Sequence, residues 1–184
     1  GIDGSCQTSP LPLTPDSLIK VEAHLKTLMD SIVRGSTDHS REGALAAFNP
    51  LFFDLLGHPQ SYHHPFDSLK ALSRVKSPDG RFRVITWAIR SLEEGTYRYY
   101  GVIQNFEQSS GKLQRTGLSE FRTENDTILH STLLAGQWYP ALYYAIVERK
   151  VKKSTYYFLL GWQGQDRLVN RKIVEVLTFD RWNN

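Results

Sequence analysis

Between Arg81 and Gln108 the chain reads RFRVITWAIR, then a polar SLEEG, then TYRYYGVIQNFEQ. Phe82, Val84, Thr86 and Ala88 fall on one parity. Ile85, Trp87 and Ile89 fall on the other, after the two arginines Arg81 and Arg83. Side chains alternate across a strand, and β-branched and aromatic residues suit a pleated surface, so this pattern predicts a hairpin buried on both faces for part of its length. Ser91–Gly95 supplies the polar, glycine-terminated loop. A hairpin alone is marginal, so it requires further strands or helices to pack against.

Upstream the period changes. Leu18, Val21, Leu25, Leu28, Met29 and Ile32 recur at helical spacing, opened by Thr14-Pro15 and closed at Gly35. A second helix is predicted from near Ser40, carrying Leu45, Phe48, Leu51, Phe52, Leu55 and Leu56, with a kink or a split at Asn49-Pro50. Residues 57–65 read as a loop and 66–72 as one or two further helical turns. Ser77-Pro78-Asp79-Gly80 is a turn before the hairpin. Lys112–Phe121 is ambiguous, and 122–135 reads as a helical turn plus loop. Trp138–Glu148, Ser154–Trp162 and Lys172–Phe179 return to strand character, with Pro140 at a strand start or edge. A basic turn, Arg149–Lys153, joins the first two of these. TYRYYGVIQ at 96–104 is echoed by TYYFLLGWQ at 155–163, a pattern that two related hairpins or convergent strand composition would each produce.

The expected fold is α+β. Residues 1–14 form an extended leader and 15–184 a single domain, helical over about 15–75 and sheet over about 81–180. Two or three N-terminal helices pack on one antiparallel, meander-like sheet of five or more strands. The chain of 184 residues, 40% hydrophobic and 22% charged, has the apolar content for a packed core. Its net charge of +3 is too small to imply nucleic acid. No apolar run approaches the roughly 18 residues of a membrane-spanning helix.

The chain begins Gly1-Ile2-Asp3 without methionine and carries a single cysteine, Cys6. A removed signal peptide or a domain excised from a longer chain explains that start. Cys6 excludes an intrachain disulfide. As a lipid anchor it lacks the aliphatic residue expected in Asp3-Gly4-Ser5, and the plainer reading is an unpaired thiol in a tail. The close at Arg181-Trp182-Asn183-Asn184, soon after a strand, fits the N-terminal part of a longer protein.

Four blocks carry a resemblance: SPDGRFRVITW at 77–87, TYRYYG at 96–101, WYPALYY at 138–144, and LLGWQG at 159–164 followed by Arg171-Lys172. Over about 65–180 the chain resembles a set of uncharacterised exported proteins of gut-type Gram-negative bacteria. The resemblance implies an exported protein, periplasmic or associated with the cell surface. It brings no assigned activity and no catalytic residue. Position 140 is Pro where the pattern has a small residue, which implies a different local backbone.

His58, His63, His64 and Asp67 lie within ten residues and are of metal-ligand type, without an H-E-x-x-H or paired-cysteine spacing. They carry the alternative of a metal-assisted hydrolase; the default is a polar loop with surface imidazoles. Ser119, Glu120, Asp126 and His130 offer triad chemistry only as polar residues gathered from a loop, and Cys6 sits in a tail that holds no base in register. Glu93-Glu94 read as a solvated turn. Arg149, Lys150, Lys152 and Lys153 form the densest charge run, suited to nucleic acid, an anionic polysaccharide or a lipid surface, but more often simply a charged turn. Arg81, Arg83 and Arg98 among tyrosines evoke sheet-type RNA binders, yet no RNP pattern accompanies them. Of the strand aromatics, Tyr99/Tyr100 and Tyr143/Tyr144 must point to opposite faces, one buried and one covering helices or facing solvent. The expectation is therefore a non-catalytic binding or accessory module with no assigned catalytic, metal or cofactor residue. Its ligand is not identified, a glycan, a peptide or a protein partner each being admissible; neither nucleic acid nor a membrane span is expected, and a structural protein-interaction domain is the third reading.

Overall fold

A computed structural model of the chain describes residues 13–120, 136–164 and 168–179, with the side chains of 119 and 120 excepted. Helix α1 spans Pro15–Arg34 and is capped by Thr14, whose hydroxyl accepts from the Ser17 N–H at 3.2 Å. Helix α2 spans Asp38–Leu55, and Thr37 caps it through the Ser40 N–H at 3.1 Å. The cap lies three residues before the expected start at Ser40. Pro50 neither splits nor ends α2. It is exposed, as is Ala46, whose carbonyl would have received its N–H, so the lost bond falls on the solvent side of the helix.

Among the described residues no third α-helix follows. Pro59–His63 forms a short 3₁₀ turn, and 66–72 folds into tight turns closed by Leu69 N–H to Phe66 O and Leu72 N–H to Leu69 O, both 3.1 Å. The expected helical part also contains a strand. β1 (Ser73–Lys76) pairs antiparallel with β2 (Phe82–Arg90), β2 with β3 (Tyr97–Glu107), and β3 with β4 (Lys112–Glu120). A two-residue strand, β5 (Gln137–Trp138), runs parallel to the end of β4.

The chain does not build one meander. After β5 it leaves this sheet and forms a second, three-stranded antiparallel sheet: β6 (Leu142–Val151), β7 (Ser154–Gly164) and β8 (Asn170–Leu177). Pro140 sits at the break, where its missing N–H cannot continue a ladder. β6 then starts across the first sheet, with the Tyr143 N–H donating to Thr86 Oγ1 at 3.2 Å and the Ser73 hydroxyl donating to the Tyr143 carbonyl. Two glycines leave no room for a side chain. A Cβ on Gly101 would lie 2.8 Å from Leu118 and 3.2 Å from Trp138; one on Gly161 would lie 2.9 Å from Ala141. The sequence echo thus belongs to β3 and β7, the middle strands of two different sheets.

The first sheet is covered on both faces, as the two parities of β2 require. Ile85, Trp87 and Ile89 pack with Leu25, Met29, Phe48 and Phe52 of the helices. Phe82, Val84 and Ala88 pack with Tyr143, Tyr157 and Leu159 of the second sheet. In the β6–β7 turn, Lys152 adopts φ +56°, a left-handed conformation that costs a non-glycine residue about 1–2 kcal/mol.

Candidate functional site

The site grows out of one cross-strand row. Lys76 of β1 opposes Arg83 of β2, Arg83 opposes Gln104 of β3, and Gln104 opposes Arg115 of β4. Arg83 has the same parity as Ile85 and Trp87 and so points to the helix-covered face, beyond the end of the apolar core. The 3₁₀ turn and the loop after it close over this row.

Arg83 is only 6% exposed. Its Nε donates to Gln104 Oε1 at 2.5 Å, Nη1 to the His64 carbonyl at 2.9 Å and Nη2 to the Ser61 carbonyl at 2.5 Å. Gln104 is fully buried and spends its amide on the Leu56 carbonyl at 2.5 Å and Ser61 Oγ at 2.9 Å. A guanidinium has five N–H donors, so one N–H remains on each terminal nitrogen of Arg83. All three acceptors are neutral, and among the described residues no carboxylate pairs with Arg83. Burial pulls its pKa down to about 10, and the nearby Arg74 charge adds to that. It is still a cation at neutral pH.

Arg83 lies in the wall of an open cleft of about 380 Å³ that also touches Tyr62, His63, His64, Arg74 and Lys76, with Asp67 at the rim. The Lys76 ammonium stands 4.8 Å from the centre of the Tyr62 ring. Tyr62 stacks on Phe106 at 4.7 Å, and its hydroxyl donates to the Gly80 carbonyl at 2.7 Å. Burial pushes the Tyr62 phenol up to about 12, so it does not ionise against the cations beside it. Arg74 holds the loop by donating to the Pro65 carbonyl at 2.8 Å and to the Phe66 carbonyl. Phe66 adopts φ +51° with its ring buried against Phe52 at 5.4 Å and His64 at 4.7 Å. Among the described residues lining the cleft, Asp67 alone is a carboxylate facing these charges. It is 77% exposed and 3.8 Å from Arg74.

His64 is fixed from behind. Its Nε2 lies 2.5 Å from Glu22 of α1. The other Glu22 oxygen accepts from the Ser68 N–H at 2.9 Å and from its hydroxyl at 2.5 Å. Burial opposes the Glu22 charge, but the bonds from Ser68 and His64 outweigh it and hold the carboxyl below its usual range.

Compared with known proteins, the chain matches no family model, no curated protein and no solved structure.

The predicted cluster is therefore brought together in part. His63, His64 and Asp67 line the cleft, whereas His58 does not, and its Nδ1 is buried without a partner. Among the described residues no three His, Cys, Asp or Glu side chains converge as a metal-ligand set. Glu93 and Glu94 occupy the hairpin loop, which Asp38 of α2 ties down by accepting from the Leu92 N–H and the Ser91 hydroxyl, both at 2.7 Å. Arg98 pairs with Glu42 at 2.6 Å, and Arg81 covers the Phe179 ring at 5.4 Å. Cys6, Asp126 and His130 lie outside the described residues, as do the side chains of Ser119 and Glu120. Arg149 and Lys150 belong to β6, and Lys152 and Lys153 make the turn. The sequence reading passed over Glu22, Ser61, Arg74 and Gln104. The one signal available was Arg83, a charged residue on the parity of an apolar strand face.

Proposed function

We propose that this protein is a non-catalytic binding module whose cleft captures the oxyanion of an acidic ligand: a carboxylate, sulfate or phosphate group carried by a glycan or peptide. The observation that carries this reading is Arg83, a buried cation satisfied by carbonyls and an amide but by no carboxylate. A buried charge without a counter-charge is unfavourable, and an anion entering the cleft relieves that cost where low dielectric strengthens the attraction. Arg74 and Lys76 add positive charge beside it, and Pro65 and Val75 give the same cleft apolar lining for the body of the ligand.

The arrangement favours capture over reaction. Glu22 could orient His64 as a base, but no nucleophile stands beside it among the described residues: the nearby Ser68 hydroxyl is spent on Glu22. An exported setting belongs to the same proposal, as the resemblance implies.

Thermal unfolding with added sulfate, phosphate, glucuronate and acidic dipeptides tests it. A ligand at about a hundred times its Kd stabilises by roughly 2.7 kcal/mol. Lys76→Gln, an exposed change, should weaken that stabilisation without altering the unliganded Tm. Equal stabilisation of wild type and Lys76→Gln by every anion would refute the cleft as the binding site.

A further inference from the structure

The outer face of the second sheet reads differently from every other surface. Strand parity places Val147, Phe158, Leu160, Val174 and Val176 together on the side away from the first sheet. Val174 is 62% exposed and Val176 is 56% exposed. None of the five belongs to either hydrophobic core, and no described element packs over them.

Both ends of this aliphatic block are cationic and aromatic. At one end stand Arg149 and Tyr156, directly opposed across β6 and β7, with the Lys152-Lys153 turn beyond them. At the other end Lys172 stands 5.1 Å from the centre of the exposed Tyr144 ring, opposite Trp162. The only described acidic residues of β6–β8 are Glu148 and Glu175, and both point to the inner side, paired in register with Tyr157 and Leu159. A lysine, Lys152, occupies a backbone conformation that favours glycine.

We propose that this face docks on an anionic lipid bilayer. The apolar centre dips below the headgroups, the Tyr144 and Tyr156 rings sit at their level, and the lysines and Arg149 meet lipid phosphates. The charge pattern selects this occupant. Two copies paired face to face would set cationic ends on cationic ends in either alignment, so self-association is opposed. A nucleic acid strand would need stacking rings and cations along its whole path, whereas the middle of this face carries no cation and one ring, Phe158. The interaction is peripheral, and no helix among the described residues is long and apolar enough to cross a membrane. It is independent of the anion cleft.

The experiment is co-sedimentation of the full chain with vesicles of phosphatidylcholine alone and of phosphatidylcholine mixed with phosphatidylglycerol. Binding is expected only with the anionic vesicles and should weaken as salt rises. The double change Val174→Thr/Val176→Thr, which keeps β-branched residues in the strand, should lower the partition coefficient roughly tenfold. Arg149→Gln/Lys153→Gln should lower it by about the same factor. Lys76→Gln in the cleft should leave it unchanged. Circular dichroism checks that each variant is folded. No binding, equal binding to neutral vesicles, or full binding by either double variant overturns the proposal. So does a concentration-dependent dimer abolished by the valine changes, which would make the face a self-interface. Tighter binding to a single-stranded oligonucleotide through the same residues would also overturn it.

Discussion

The two sheets are built from similar strands and put to different ends. The first lies between helices and a second sheet, so both parities of β2 are buried, from Phe82 at 0% exposure to Ile89 at 4%. Among the described residues the second is covered on one face only, and over Ile173–Leu177 of β8 burial alternates between inward Ile173, Glu175 and Leu177 and outward Val174 and Val176. Polar groups follow suit. Where the first sheet runs out of apolar neighbours, its inward charge, Arg83, opens into a cleft. In the second sheet Arg149 and Lys172 stand on the outer face. Composition alone does not distinguish β2 from β7; what covers each face does.

That contrast sets an order of expected effects. The largest is Trp87→Ala. The indole is 4% exposed, packs edge-on against Phe48 at 5.8 Å and Phe52 at 5.5 Å, and donates to Asn49 Oδ1 at 3.0 Å. Its removal should cost about 3–5 kcal/mol in urea denaturation. A much smaller loss would mean that β2 is less firmly packed between its layers than described.

Next come two buried carboxylates with opposite signs. Glu22 is held below its ordinary pKa of 4.5, so its contribution is present above that value and is lost as pH falls through the folded value. Glu22→Gln should destabilise by about 1–3 kcal/mol at neutral pH, with the deficit closing in acid. Glu175 lies between the sheets, where it accepts from the Tyr139 N–H at 3.0 Å and from the Tyr143 hydroxyl. Burial outweighs those bonds and holds its pKa above 4.5. Its charge is therefore a burden above the folded pKa, and the burden lifts as pH falls toward 4.5. Glu175→Gln should stabilise by about 1 kcal/mol at neutral pH, with the gain vanishing in acid. Matching pH profiles for the two variants would erase the distinction between the sites.

The smallest effect belongs to the outer face. Val174→Thr/Val176→Thr should shift stability by no more than about 0.5 kcal/mol per site. A loss comparable to that of Trp87→Ala would show that this face is buried in the folded protein.

Much of this organisation is written in short-range pattern. Thr14-Pro15 marked the start of α1, and the alternation over Phe82–Ile89 gave two buried faces before any partner was known. Other features depend on distance. β1 is four residues of SRVK, too short and polar to stand out as a strand. Pro140 announced a break but not the move to a second sheet, which is tied to the first through Tyr143 and its bonds with Thr86 and Ser73. The cleft was only half visible. His63, His64 and Asp67 are neighbours in sequence, but the Arg83–Gln104 pair spans 21 residues and the His64–Glu22 pair spans 42. Such pairs are fixed by strand register and helix packing, which spacing along the chain does not encode.

The most direct test follows the guanidinium Nε–H signals of Arg83 and Arg41 by NMR while sulfate is added. Both arginines are buried and bonded to carbonyls, Arg41 to the Arg90 carbonyl at 2.7 Å and to that of Val33, but only Arg83 lines the cleft. The expected result is a saturable shift at Arg83, weakened by Lys76→Gln, with Arg41 unmoved. A silent Arg83, or equal movement of both signals, would contradict an anion site built on Arg83.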